Sequence, residues 1–296
     1  MIALILSLIA CGPAQKPGAE GDATAPKSGG MLQNKGSDTM VNMAQALAEE
    51  YRKVKPEVAI AVSGGGSGTG IAALENGTVD IANASREIKA EENEKIKTKT
   101  GKEPVQHIVA YDGLAIYVHK DNPLEKITKA QLAAIYGEGG ATESWKDLGV
   151  EVPGCADQAI VRVSRQNNSG TYEYFREWTL GKGDFKLGSR DMQGSKDVVD
   201  LVRTTPCAIG YSGLGYDTPD VKMLCVSVDD TATCATPSVA SVHDKSYPIS
   251  RPLYMYTPGE GSADAQAYIT WIRGDAGQAI VERSGFVPLP PEQRAK

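Results

Sequence analysis

Three short loops in this chain place glycine and hydroxyl side chains just ahead of a helical pattern. They are Gly36-Ser37-Asp38-Thr39-Met40, Gly66-Ser67-Gly68-Thr69-Gly70 and Asn168-Ser169-Gly170-Thr171. The first turn of a helix leaves backbone N–H groups unpaired and carries the positive end of the helix dipole. Glycine lets an anion approach that backbone, and Ser or Thr adds donors, so each loop can serve as an anion site. Ser, Thr and Asp are equally the ordinary N-caps of helices, and any one of these loops alone would be read as a cap. Three such loops, with Arg165 four residues ahead of Ser169, favour a shared tetrahedral oxyanion. Arginine suits that role because its planar donors bond oxygens in pairs.

Other chemistries find little support. A nucleotide P-loop needs a lysine after its glycines, and none follows here. Gly68, Gly70 and Ala73 satisfy a dinucleotide-type spacing, but Glu87 is the nearest candidate for the acidic residue expected about 20 positions on, and it is a poor match. A secreted phosphatase-like enzyme using Ser67 or Ser169 as nucleophile would need a base, and His107, His119 and His243 sit in no suitable motif. There is no HExxH and no CxxC, so neither a metal nor a cofactor is expected. The formal net charge is −6 with no basic run, which gives nucleic-acid binding no support.

The elements that must position the loops alternate between strand and helix. Met40, Met43, Leu47 and Tyr51 predict a helix within Ser37–Lys53, ended by Pro56. Strands are expected at Val58–Val62, Val79–Ala82, Ala159–Val163, Cys207–Tyr211 and, with two prolines inside it, Tyr247–Tyr256. Val105–Val118 fits two strands or one long one. Helices are expected at Ile71–Glu75, Leu124–Tyr136 with Thr128 as a cap, Tyr172–Leu180, Ser195–Thr204 and Ala263–Arg283. This order describes an α/β protein of two similar halves without a sequence repeat.

The first residues, Met1–Ala10, are apolar but shorter than the about 20 residues a membrane span needs. They read as a secretory signal core, and Leu8-Ile9-Ala10-Cys11 looks like a lipobox whose cysteine is acylated after cleavage (1–11); an ordinary signal peptide is the plainer alternative. Residues 12–30 hold Gly, Ala, Pro, Lys, Ser and Asp with no large apolar side chain, and read as a flexible tether. With Cys11 lipidated, Cys155, Cys207, Cys225 and Cys234 remain for an oxidising compartment. Of three possible pairings, Cys225–Cys234 closing a short hairpin and Cys155–Cys207 joining neighbouring segments are favoured. The body, at 41% hydrophobic and 23% charged, has the composition of a globular protein.

In this order the strings GSDTM, SGGGSGTG, VDIANASRE, AYDGLAIYVHKDNP and SRQNNSGT resemble the phosphate-binding component of bacterial high-affinity phosphate ABC transporters, from about Gly36 to the C-terminal helix. The resemblance implies a type II periplasmic-binding-protein fold, two lobes joined by a hinge with a ligand cleft between them. One lobe would be 31–112 with 250–296, the other 113–249. Carried over by motif, Thr39 with the Met40 amide, Ser67 with the Gly68 amide, and Ser85 with Arg86, which face the cleft together in shorter homologues with Ser-Arg there, would hold phosphate from the first lobe. Arg165, Ser169, Gly170 and Thr171 would hold it from the second.

Two departures stand out. The best-known branch has an aspartate where this chain has Arg86, and that carboxylate accepts the phosphate proton and repels sulfate. An aspartate that orients the cleft arginine there is Asn167 here. Asp38 is a candidate replacement acceptor, and equally a helix cap. The implied function is capture of inorganic phosphate, without catalysis, for an ABC permease, by a monomer held through a lipid anchor on the periplasmic or cell-surface side of the membrane. A binder of another, sulfate-like oxyanion is the alternative.

Overall fold

The computed structural model describes residues 30–295. The first half alternates β1 (Met31–Gly36), α1 (Val41–Val54), β2 (Ala59–Ser63), α2 (Ser67–Glu75), β3 (Ile81–Ala84) and α3 (Ala90–Thr100). A single long strand, β4 (Pro104–His119), then leads to β5 (Lys126–Thr128), α4 (Lys129–Tyr136), β6 (Val161–Arg165), α5 (Gly170–Leu180), β7 (Arg190–Met192), α6 (Ser195–Thr204) and β8 (Ala208–Gly213). After β9 (Val221–Met223), β10 (Cys225–Ser227) and α7 (Val239–His243), the chain returns through β11 (Ser250–Pro258) to α8 (Ala263–Arg273) and α9 (Asp275–Arg283).

The main sheet runs β2-β1-β3-β11-β4-β8-β6-β7, with β9 also on β4. Strands β1, β2 and β3 are parallel, as strand–helix–strand crossovers require. The long strand belongs to both halves. Its residues Pro104–Gly113 pair with β11, and Leu114–Val118 pair with β8. The partner therefore changes at Gly113/Leu114. This is a two-lobed α/β plan, as the resemblance implies, with the first half on β11 and the second on β8.

Local sequence explains most boundaries. In α1 the buried residues Met43, Ala44, Leu47 and Tyr51 form one stripe, which packs with Tyr268 and Ile272 of α8 and Val281 of α9 in one core. A second core gathers Leu114, Ile116 and Val118 of β4 with Trp145, Phe175 and Tyr211. The Thr128 hydroxyl accepts from the Gln131 amide and caps α4, while residues just before it form the short strand β5. Two expectations shift, at the second loop and at the C-terminal helix, and an open choice at Val105–Val118 is decided. The loop SGGGSGTG gives helix from Ser67 rather than Ile71. Val105–Val118 is one strand. The C-terminal helix is two, broken at Gly274, which ends α8 and begins α9 in an extended conformation.

The structure closes disulfides Cys155–Cys207 and Cys225–Cys234, with Cα separations of 5.0 and 5.5 Å. The acylation expected at Cys11, and the tether except Gly30, lie outside the described residues. Among those described, no helix is long and apolar enough to cross a membrane. The bridges span 52 and 9 positions of sequence, and the loop-closure model makes the longer one more stabilising. Replacing Cys155 and Cys207 by alanine should cost roughly 4 kcal/mol, against roughly 2.5 kcal/mol for Cys225 and Cys234. Denaturant unfolding of the two double variants checks the order.

Candidate functional site

Four turns between strand and helix meet where the two halves face each other. Gly36 ends β1, and the turn Ser37–Met40 leads into α1. Neither α1 nor α2 has a side-chain cap, so the hydroxyls in their approach loops are turned elsewhere. Ser37 Oγ donates to Ser85 Oγ at 3.0 Å, the Ser85 amide donates to Ser67 Oγ at 3.0 Å, and Ser67 and Ser85 Oγ lie 3.3 Å apart. These three serines, all from the first half, are buried.

A second cluster adjoins it. Thr39 Oγ1 lies 2.7 Å from Thr171 Oγ1 of the other half, and Ser195 Oγ donates to Thr39 Oγ1 at 3.4 Å. Arg165, at the end of β6, is fully buried. Its Nη1 donates to Ser195 Oγ at 3.0 Å, and its Nε and Nη2 donate to the Gln193 carbonyl at 3.1 and 2.6 Å. The Asp38 carboxylate lies 3.8 Å from Arg165 Nη2 and accepts from the Gly65 amide at 2.9 Å. Burial draws the Arg165 guanidinium below its usual range, opposed by Asp38, and it stays cationic at neutral pH.

At the third loop the cap reading holds for one residue. Ser169 Oγ accepts from the Thr171 and Tyr172 amides at 3.1 and 3.4 Å and is the N-cap of α5, which leaves its own proton available to an acceptor. Gly170 follows it against the serine cluster, where a Cβ would stand 2.4 Å from Ser67 Oγ and 2.6 Å from Ser85 Oγ. Gly66, at φ +93°, takes a conformation that L side chains rarely adopt, and there too a Cβ would meet the Asn168 carbonyl at 2.7 Å. The halves are in contact through backbone because the contact positions are glycine.

Of the residues singled out from sequence, Thr39, Ser67, Ser85, Arg165, Gly170, Thr171 and, beside Arg165, Asp38 come together here. The two expected amide donors are engaged by protein carbonyls: Met40 N donates to Ser37 O at 3.1 Å and Gly68 N to Asn168 O at 3.0 Å. Arg86 grips Glu92 with both terminal nitrogens at 2.8 and 2.7 Å and also donates to the Glu87 carbonyl. Burial would raise the Glu92 carboxyl, but Arg86 and the Lys89 amide hold it below the usual carboxylate range. Arg86 lines a separate cavity of about 810 Å³ between the halves, beside Arg251 and Tyr174. Across it, Lys89 and Glu173 form an ion pair of 2.8 Å.

Sequence reasoning missed Ser195 and Arg251, and gave Ser37 no role of its own within its loop. Gln193-Gly194-Ser195 ahead of α6 carries the same small-residue signal as the other loops, and would have been found by it. Arg251 and Asp112 are charges of opposite sign inside apolar strands, which is the mark of a buried pair. Among the described residues, Cys155, Asp157 and Cys207 have metal-ligand spacing, but both sulfurs are in a disulfide.

A buried cluster of hydroxyls and one guanidinium between two halves of one sheet suits the solute-binding proteins, and the comparisons agree. The model of the PBP superfamily domain matches residues 19–276. The phosphate-binding protein PstS of Pseudomonas aeruginosa is 35% identical over 277 residues, covering 90% of this chain and 85% of its own. That of Bacillus subtilis is 31% identical, covering 98% and 92%. Among solved structures, a Clostridium perfringens protein described as a phosphate ABC transporter substrate-binding protein, with phosphate bound, has a TM-score of 0.76 at 30% identity, covering 88% of this chain and 100% of that one. The chain belongs to the PBP superfamily and, within it, to the PstS family of phosphate-binding proteins.

Adding one methyl group tests whether the halves must touch. Gly170→Ala should leave thermal stability near that of the wild type, because the site is the first turn of a helix. It should hold the halves apart, giving a larger radius of gyration by small-angle X-ray scattering and weaker anion binding.

Proposed function

We propose that this chain captures inorganic phosphate between its two lobes, 31–112 with 250–296 and 113–249, and delivers it to the permease of an ABC transporter. The observation that carries this reading is the convergence of Thr39 and Thr171 hydroxyls from opposite lobes, 2.7 Å apart, beside the buried Arg165. An oxyanion taken between them would receive donors from both lobes, so binding and closure would be one event. Charge-assisted hydrogen bonds in such a closed site are about twice as strong as neutral ones. The phosphate ligands in this reading are Thr39, Ser67, Ser85, Arg165, Ser169, Gly170 and Thr171, joined by the Met40 and Gly68 amides once the anion displaces their present acceptors, the Ser37 and Asn168 carbonyls. Arg86, held by Glu92, borders the site rather than supplying the acceptor found in the best-known branch.

Asp38 takes that acceptor role. Its Oδ1 is occupied by the Gly65 amide, and its second oxygen stands on the Arg165 side, where HPO4²⁻ can donate its proton. Sulfate, fully ionised, has no proton to offer and meets repulsion. Binding requires no covalent step. His107 Nε2 faces Thr257 Oγ1 and His243 Nε2 faces the Pro288 carbonyl, positions that give Ser67 and Ser169 no base and favour a binder over a hydrolase. The lipid on Cys11, the tether 12–30 and a monomeric state complete the proposal for a protein held at the outer side of a membrane.

Calorimetric titration with phosphate and then sulfate at pH 7–8, after removal of bound anion, tests the reading. One-to-one phosphate binding with weak sulfate binding is the expected result; preference for sulfate would keep the site and change its ligand. In the same assay Asp38→Asn should weaken phosphate binding roughly 10-fold or more and narrow the preference over sulfate. An unchanged preference would remove Asp38 from the acceptor role.

A further inference from the structure

We propose that Arg251 is a positioning residue of the anion site, tying the lobe crossing to Thr171. This rests on the reading of the cleft as an oxyanion site. Arg251 lies at the start of β11, opposite Asp112 of β4 in the register, and only 2% of its side chain is exposed. Its Nε and Nη2 donate to Asp112 Oδ2 at 3.2 and 2.9 Å. The other lobe holds the rest of the fork: Nη2 donates to Thr171 Oγ1 at 2.9 Å and Nη1 to the Gly170 carbonyl at 3.3 Å. Asp112 is itself fixed from the second half by the Leu214 amide at 3.1 Å. The Tyr174 ring packs under the guanidinium at 5.4 Å.

This geometry decides what Thr171 offers a ligand. A threonine hydroxyl has one proton and two acceptor positions. Arg251 fills one acceptor position with a charged donor, so the oxygen is held as an acceptor toward the crossing and its proton is left for an oxyanion. Donation of positive charge into that oxygen also strengthens the outgoing O–H bond as a donor. Arg165 does the same for Ser195 from the opposite side. Both chains end at Thr39 Oγ1, and an oxyanion entering between the Thr39 and Thr171 hydroxyls would replace their mutual contact and take a proton from each. A lysine in place of Arg251 has the charge but lacks the planar fork that reaches Asp112, Gly170 and Thr171 together.

The test is a double-mutant cycle on the full chain, read by calorimetry with inorganic phosphate. Arg251→Met and Thr171→Val should each weaken binding, roughly 10- to 100-fold. The double variant should be no weaker than the worse single one, because each change removes the same donor. Arg251→Lys should recover part of the loss. If Arg251→Met fails to fold because Asp112 is left buried and alone, the paired change Asp112→Asn/Arg251→Met, which leaves no unpaired charge, takes the place of Arg251→Met in the cycle. Fold-losses that multiply, or an Arg251→Met that binds like the wild type, would overturn the role of Arg251 alone. A wild-type protein that binds neither phosphate nor sulfate would overturn the oxyanion reading and this inference with it.

Discussion

Two buried guanidinium groups set the terms for the rest of this molecule. Removing a cation from water costs several kcal/mol unless it finds counter-charge and a full set of acceptors. Arg165 and Arg251 find theirs in segments far apart in sequence. Arg165, in the second half, meets the carbonyls before α6 and the Asp38 carboxylate of the first half. Arg251, entering the first half, meets Asp112 and then α5 of the second. Neither arginine has its complete set of partners within one half. Their burial is therefore a term that favours approach of the halves, and it acts at the place where a ligand would sit.

The two carboxylates nearest these arginines balance their charge, so the cluster is not an excess of cations. The groups gathered around it are mainly hydroxyls, those of Thr39, Thr171, Ser67, Ser85 and Ser195, whose positions are fixed by their neighbours. Charge alone attracts phosphate and sulfate alike. Donor directions, together with one acceptor, can tell a protonated oxyanion from an unprotonated one, because a mismatched group is left desolvated and unpaired. Small residues make this possible. Glycine at positions 66 and 170 allows close contact across the interface, and a side chain at either would collide with the Asn168 carbonyl or with the Ser67 and Ser85 hydroxyls.

Much of this was legible in the sequence, for physical reasons that differ between elements. The helix at Ser195–Thr204 is bounded as expected because Val198, Val199 and Val202 mark one face without ambiguity. The three glycine-hydroxyl loops announce themselves because few backbones other than a helix entry need that composition. Helix α3 was not seen: only Ile96 of its eleven residues is buried, so periodicity has almost nothing to register. The break at Gly274 hid inside a continuous apolar pattern. Arg251 escaped for another reason. Its importance comes from Asp112, 139 positions earlier, and no local pattern expresses a pairing of that range. Arg86 carried a family expectation of facing the cleft, while its bond to Glu92, six residues on, was a local pair that motif comparison does not weigh.

The crossing itself shows how such a pair can act at a distance. Since β4 is continuous through both halves, relative motion cannot be taken up by a loose linker at that point and has to be a bend or twist in a paired strand. The weakest place is where pairing changes from β11 to β8, at Gly113 and Leu114, because no single neighbouring strand braces both sides. Asp112 stands immediately before that change, and its two oxygens are divided between Arg251 on β11 and the Leu214 amide beyond β8. A bend there moves those two partners relative to each other. The buried carboxylate, which desolvation makes intolerant of losing either, thus resists some angles and permits others. The same ion pair therefore stands both at the change of strand partner and against the Thr171 hydroxyl.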